Sequence, residues 1–559
     1  MRRGGPHPYI ATLGSLLAAR RIDRRTFLRQ ATLLGLNAAA AYAVIEQMNG
    51  AAVSQPAETQ LPRGGRLRIA MRVPDLSHPH SYAWLEPEIA RQVVPTLTKT
   101  GPDNITRPYL LEAWEPSEDL RSWTLRLRPG LRWRKGSRLT AEQVAWNLRR
   151  VLDSSLNSPA LGLMAPYMLD LIDTGSIDES GAPVRERGLW DANAIEVVDG
   201  LTLRINTRLP QVALPQHLQH GALSILDPEE DGQFGPGSNG LGAFELVEAE
   251  PGRKALLKAV SDHWSGRGPY LDFLEFVDFG ADPEAPIAAL AARRVDGIYR
   301  VELDSLERLE ALSHVRVYET QSAATAVARM KVTEPPFTDP RVRKAMRLAI
   351  DCERVRAAAL GAHGLAAEHH HVCPVQPDYA ALPPMARDVT AAKALLAEAG
   401  FPDGLKCQIL VKDDPGWELA AVEEMQAQWK DAGIRVRIRK VSWNLYWELW
   451  NKVPFGFTNW AHDSLGTINL GVAYRGGAPW NESGYANREF DRLLALAEAT
   501  LDLDARRKTV GEIEKLMQED GPIVQPVWAP VFAAYDRKVK GFDLYPSRSL
   551  YAEELAIES

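Results

Sequence analysis

The chain has 559 residues, of which 45% are hydrophobic and 25% charged, and its net charge is −7. That length exceeds what one hydrophobic core serves, so about three to four domains are expected, and the composition is that of a globular protein rather than a disordered or fibrous one. No apolar run reaches the ~20 residues of a membrane span, and the acidic balance argues against nucleic acid as a partner.

Charge is distributed unevenly. Residues 1–43 hold seven arginines, one aspartate and no lysine, so the remainder carries −13. Within them Asp23-Arg24-Arg25-Thr26-Phe27-Leu28-Arg29 precedes a mild, alanine-rich apolar stretch from Ala31 to Ala43. This resembles a twin-arginine export signal. Ala41-Tyr42-Ala43 offers a small-x-small triplet, which places cleavage near Ala43, with Ala51-Ala52 as second choice. In an oxidising compartment three cysteines, Cys352, Cys373 and Cys407, allow at most one bridge. No cysteine precedes Cys352, so none is placed to accept a lipid anchor. Residues 44–65 read as a linker.

Order is expected from Arg66-Leu67-Arg68-Ile69-Ala70, a half-buried strand by its alternation, followed by a helix over Glu86–Leu97. The run Leu111 to Asp119, then Trp123 to Arg128 in strict alternation, then Pro129 to Gly136, reads as strand, turn and short strand. Thr140-Ala141-Glu142-Gln143 is a capping box opening a helix whose apolar face is Val144, Leu148, Val151 and Leu152. Ile195–Val198 and Leu201–Asn206, joined by Asp199-Gly200, form a hairpin. Asp339-Pro340 is an N-cap with Pro at N1, and Asp388 and Gly400 bound another helix. Lys406–Val411, Leu419–Trp429 and Ile434–Ile438 make a βαβ unit, which implies a parallel pair.

The run from Leu111 to Leu152 resembles, in order and spacing, the family 5 extracellular solute-binding proteins, the dipeptide and oligopeptide receptors of bacterial ABC importers. Asn239-Gly240-Leu241-Gly242-Ala243-Phe244, Asp262-His263-Trp264 with Gly268-Pro269-Tyr270-Leu271-Asp272, and Pro336-Phe337-Thr338-Asp339-Pro340-Arg341 continue the likeness in register. It spans about Arg66 to Phe542.

The resemblance implies an α/β, periplasmic-binding-protein-like type II fold, two lobes with a hinge plus an inserted extra domain. Lobe I would comprise residues 66–98, 231–325 and 522–559, the inserted domain 99–230, and lobe III 326–521. Ala324–Met330 and Pro522–Pro530 become the hinges. The role implied is that of a monomeric periplasmic receptor, with no cofactor, that captures a short peptide or other amine-bearing solute and hands it to ABC permease subunits in the inner membrane. A nickel-type metal-chelate receptor of the same fold and a secreted hydrolase are the alternatives.

The candidate site lies between Trp443 and Tyr485, which hold ten of the chain's 43 aromatic residues. A carboxylate among rings must be paired or solvated, and Asp463 in Asn459-Trp460-Ala461-His462-Asp463 either caps a turn, pairs with a nearby Arg, or awaits a ligand. The resemblance implies the last, with Asp463 meeting the α-ammonium of a peptide and Trp460 forming a wall beside it. Two departures stand out: Ser464-Leu465-Gly466-Thr467 lacks the family's second Asp and its Pro, and His462 replaces a small residue. Arg329 and Arg475 are candidates for a ligand carboxylate, with solvated surface as the competing reading, and Tyr82 and Tyr474 are further candidates.

Three other features bear on chemistry. His369, His371 and Cys373 share a face if their segment is extended and could then hold zinc, copper or nickel, against the plainer reading of a solvated loop. Gly235-Pro236-Gly237-Ser238-Asn239-Gly240 spells G-x-G-x-x-G, but a strand rather than a helix is expected after it, which is the wrong context for a phosphate loop. No catalytic motif is visible, so no enzyme is expected.

Overall fold

The structure, a computed structural model, describes residues 61–81, 87–177, 183–266, 268–383, 385–413 and 416–558, and residues 13, 14, 17, 27 and 31 singly. The cleavage point near Ala43, the linker up to residue 60 and Tyr82 lie outside the described residues.

Local signals that rest on capping and turn chemistry reappear as read. Thr140 Oγ1 accepts the Gln143 amide while Gln143 Oε1 accepts the Thr140 amide at 3.1 Å, closing both halves of the capping box on helix Ala141–Val151. Asp339 accepts the Arg341 amide at 2.9 Å and Asp388 the Ala391 amide at 2.8 Å, each at a helix start. Ile195–Asp199 and Thr202–Asn206 pair antiparallel and extend with Ser122–Leu127 and Leu111–Pro116 into a four-stranded sheet. The core beneath it runs from Leu97 to Leu241 and includes Trp114, Trp123 and Trp133.

The helix expected over Glu86–Leu97 is cut to Glu88–Arg91. Its continuation fails because the carbonyls of Gln92 and Val93 are taken from outside: Gln92 accepts the Phe244 amide at 3.1 Å, and Val93 accepts those of Leu241 and Gly242 at 3.0 and 2.8 Å. That close approach also explains two glycines. A Cβ on Gly240 would lie 2.3 Å from the Val93 oxygen and one on Gly242 2.2 Å from that of Gln92. The literal G-x-G-x-x-G therefore ends in a backbone crossing, and the strand Phe244–Glu250 follows it.

A twelve-stranded sheet runs through the molecule. One half holds Phe244–Glu250, Lys254–Ala259, Phe273–Val277, Arg66–Ala70 and Gly297–Ile298, and the other Phe455–Trp460, Leu405–Lys412 and Ile434–Val441. Between them lie two long antiparallel strands, Val315–Met330 and Val527–Asp536, paired from Val315↔Asp536 to Thr325↔Trp528 with one shift of register between Gln321 and Ala324. Separate apolar clusters back the two halves, one around Leu67, Ile69, Phe244 and Phe276, the other around Ala328, Met346, Trp429 and Phe457. The βαβ unit is present as Leu405–Lys412, helix Trp417–Asp431 and Ile434–Val441, with the strands parallel. Cys352, Cys373 and Cys407 are all unbridged.

Candidate functional site: a half-covered carboxylate beyond three parallel strands

Strands Leu405–Lys412, Ile434–Val441 and Phe455–Trp460 run parallel, so their carboxyl ends open on one edge. In open α/β sheets ligands bind beyond that edge. Asp463 lies three residues past Trp460 and three before helix Gly466–Tyr474.

The family's second aspartate would fall at position 466, where this chain has glycine. A Cβ there would sit 2.5 Å from Val372 Cγ1, so the space is already taken. The helix amides are met from another segment: fully buried Asp378 accepts those of Gly466 and Thr467 at 2.9 and 3.1 Å. A carboxylate at a helix N-terminus is electrostatically favoured. Gln376, two residues earlier, donates to the Asp463 carbonyl and to Asn469 Oδ1, both at 2.9 Å, and Asn469 Nδ2 reaches Asp463 Oδ2 at 3.1 Å.

That amide is the one hydrogen bond to the Asp463 carboxyl among the described residues, and no ion pair reaches it there. Burial alone, with no cation contributing, pushes the carboxyl up to about 7. Yet Asp463 is only half-buried. The carboxyl is thus covered by protein on one side and reached by solvent on the other.

Its neighbours are engaged. His462 Nδ1 accepts the Ala323 amide and its Nε2 meets Asn104 Oδ1, both at 3.0 Å. Trp460 is buried, its ring 5.6 Å from that of His371. Asn459 Oδ1 accepts from Lys412 Nζ at 2.7 Å, and the same ammonium pairs with Glu418 at 2.8 Å and lies 4.9 Å from the exposed Trp443 ring.

The other candidates need correction. Arg329 is neither surface nor cleft: it is completely buried, pairs with Glu482 at 3.1 Å and donates to the carbonyls of Trp450 and Val453. Arg475 is occupied by Glu498 at 2.6 Å. Tyr474 is core, its hydroxyl 2.6 Å from His371 Nδ1. His369 and His371 do not lie on an extended segment, because both backbones are left-handed, at φ 63° and 62°. Nor is the segment a solvated loop: His369, His370, His371 and Cys373 are all buried.

Their rings face different partners, His369 toward Cys352 Sγ and the Gln525 amide, His370 toward Glu368, His371 toward Tyr474. Burial holds His369 and His371 neutral, down to about 3. Among the described residues no cluster of His, Cys, Asp or Glu is arranged to hold a metal ion. The segment instead supports the carboxylate loop through Gln376 and Asp378. Sequence reasoning missed those two residues and Asn104, since each acts across a long stretch of chain, and it missed Asn469, six residues from Asp463, because nothing local points its amide back at the carboxyl.

Two sheet halves joined by long shared strands are the architecture of a solute-binding protein. The chain belongs to the bacterial extracellular solute-binding proteins, family 5, whose model matches residues 106–482. It is 22% identical over 469 residues to the dipeptide-binding protein DppE of Bacillus subtilis, covering 80% of this chain and 84% of that one. To the glutathione-binding protein GsiB of Pectobacterium atrosepticum it is also 22% identical, with coverage of 78% and 83%. Among solved structures, the ABC transporter-associated periplasmic binding protein DppA from Helicobacter pylori, in complex with the peptide STSA, superposes with a TM-score of 0.72 at 21% identity, covering 89% of this chain and 99% of that chain. No helix among the described residues is long and apolar enough to cross a membrane.

Proposed function

We propose that the protein is exported by the twin-arginine route, cleaved near Ala43, and works as a monomer in the periplasm, where it captures a short peptide or other amine-bearing solute and delivers it to an ABC permease. It performs no chemistry. Lobe I is formed by residues 66–98, 231–325 and 522–559, the inserted domain by 99–230 and lobe III by 326–521, with Ala324–Met330 and Pro522–Pro530, on or beside the two long central strands, as hinges.

The observation that carries this reading is the contrast between Asp463 and the buried acids around it. Glu482 is answered by Arg329, and Asp378 by two helix amides. Asp463 has one neutral amide and an opening to solvent. A ligand ammonium supplies the missing charge, and a charge-assisted hydrogen bond in a closed recess is worth about 2–5 kcal/mol when one partner is removed. Relatives named for dipeptide and glutathione binding support the ligand class.

Native mass spectrometry of protein purified gently from the periplasm tests the proposal. The expected result is a co-purified mass in the range of short peptides, absent from Asp463→Ala. A retained mass in that variant, or turnover of a hydrolase substrate panel, overturns it.

A further inference from the structure

We propose that His462 is a positioning residue for capture, binding the Asp463 loop at once to the hinge and to the far side of the cleft, so that closing the lobes and presenting the carboxylate are one event. The inference rests on the reading of Asp463 as the ammonium partner.

The geometry fixes the roles of every atom. Ala323 N–H can only donate, so His462 Nδ1 accepts it at 3.0 Å, and the neutral ring carries its hydrogen on Nε2, which donates to Asn104 Oδ1 at 3.0 Å. The oxygen of Asn104 being thus assigned, its Nδ2 faces the carbonyls of Val375 and Ser464 at 3.3 and 3.4 Å, both acceptors. No atom in the set is mismatched.

The two anchors are mechanically distinct. Ala323 lies in the shift of register of the hinge pair, where Ser322 Oγ donates to the Ala529 carbonyl at 2.8 Å and accepts the Ala324 amide at 3.0 Å. Its own amide is therefore turned out of the ladder toward His462. Asn104 is the tip of the hairpin Thr98–Thr100 and Thr106–Pro108, with φ at 60°, a left-handed turn position that Asn tolerates. It is 2% exposed although it belongs to a turn, because the tip is seated against the third lobe. Ser464, one of its acceptors, directly follows Asp463. Opening the cleft withdraws Asn104 and leaves His462 held by the hinge alone, so the carboxylate loop loses two hydrogen bonds on one side, those of His462 and Ser464, and the supporting segment loses the one at Val375.

Side-chain length separates the two bonds. An Asn at 462 places an oxygen where Nδ1 stands and keeps the hinge bond, whereas a Gln reaches Asn104 with its Nε2. Hydrogen exchange of the mature chain reads both: residues 98–108 report the seated hairpin, and residues 320–326 the hinge amide. For His462→Ala and Asn104→Ala the hairpin amides should exchange about three- to tenfold faster, the effect of one lost hydrogen bond or two. His462→Gln should keep the hairpin protected, and His462→Asn should not.

An equimolar tripeptide pool, scored by native mass spectrometry, supplies the functional readout: His462→Ala and Asn104→Ala should retain about three- to tenfold less peptide than wild type. Equal hairpin exchange in His462→Ala and wild type overturns the proposal, as does equal protection by His462→Asn and His462→Gln. Undiminished peptide retention with a deprotected hairpin removes the coupling. If wild type itself binds no peptide, the ligand class fails while the exchange data still decide the latch.

Discussion

Arg329 and Glu482 meet at 3.1 Å with 1% and 3% of their side chains exposed. Desolvation is the largest influence on the glutamate and raises its pKa, opposed by the guanidinium and by Thr458 Oγ1, which donates to it at 2.7 Å. Breaking such a pair leaves a charge buried alone. Arg329→Met or Glu482→Gln is expected to lower stability by about 3–5 kcal/mol each, and the double variant by clearly less than the sum. Urea unfolding of the four proteins checks this, and additive losses would contradict it.

The Asp463 carboxyl is raised to about 7 from an unfolded value near 3.8. Between those values the folded chain keeps a proton that the unfolded chain has released. This group's contribution to stability therefore falls as pH rises from about 4 to about 7 and is level above. Asp463→Asn is expected to flatten that part of the profile in thermal melts at pH 5 and pH 8. Capture of an ammonium requires the ionised carboxylate, so affinity for an amine ligand should rise with pH up to about 7, by up to about tenfold per unit. Calorimetry across that range decides it, and an affinity that falls over the same interval would exclude the pairing.

Gly235 and Gly240 begin and end the G-x-G-x-x-G string but differ in surroundings. Nothing lies within 4 Å of a Cβ at Gly235, whereas at Gly240 it meets the Val93 oxygen at 2.3 Å. Gly240→Ala should cost about 1–3 kcal/mol by overpacking, and Gly235→Ala no more than about 0.5 kcal/mol. A phosphate loop would predict the loss of nucleotide binding instead, which a fluorescent nucleotide titration would register.

Tyr474→Phe removes the hydroxyl that meets His371 Nδ1 at 2.6 Å, and among the described residues Nε2 of the same ring has no partner. A destabilisation of about 1–3 kcal/mol is expected. Nickel or zinc ions should leave the melting temperature unchanged, since His369 and His371 turn to different partners. A metal-dependent rise would restore the chelate reading.

Elements governed by neighbours in sequence were legible before the structure. The capping box at Thr140, the N-caps at Asp339 and Asp388 and the βαβ unit after Leu405 each depend on residues within a few turns of one another. The shortened helix after Glu88 was not, because strangers at 241–244 claim its carbonyls. In the site, Arg329, a candidate for a ligand carboxylate by local reading, was claimed by Glu482 from 153 positions away. The left-handed backbones at 369 and 371 were not legible either, since non-glycine residues take that conformation uncommonly and nothing in the local pattern singles out these two positions. The absence of the family's second aspartate was legible, and the capping of the following helix by Asp378 was not.

The long strands Val315–Met330 and Val527–Asp536 also have a mechanical meaning. A ladder of continuous hydrogen bonds resists shear and splay, and it yields most easily where its register is already broken, between Gln321 and Ala324. In the lobe closure proposed for this protein, movement of one sheet half against the other would be funnelled into a swing about a single crease rather than a tumble on loose tethers. Such a joint loses little entropy on closing, so the solute's own contacts need not first stiffen the scaffold.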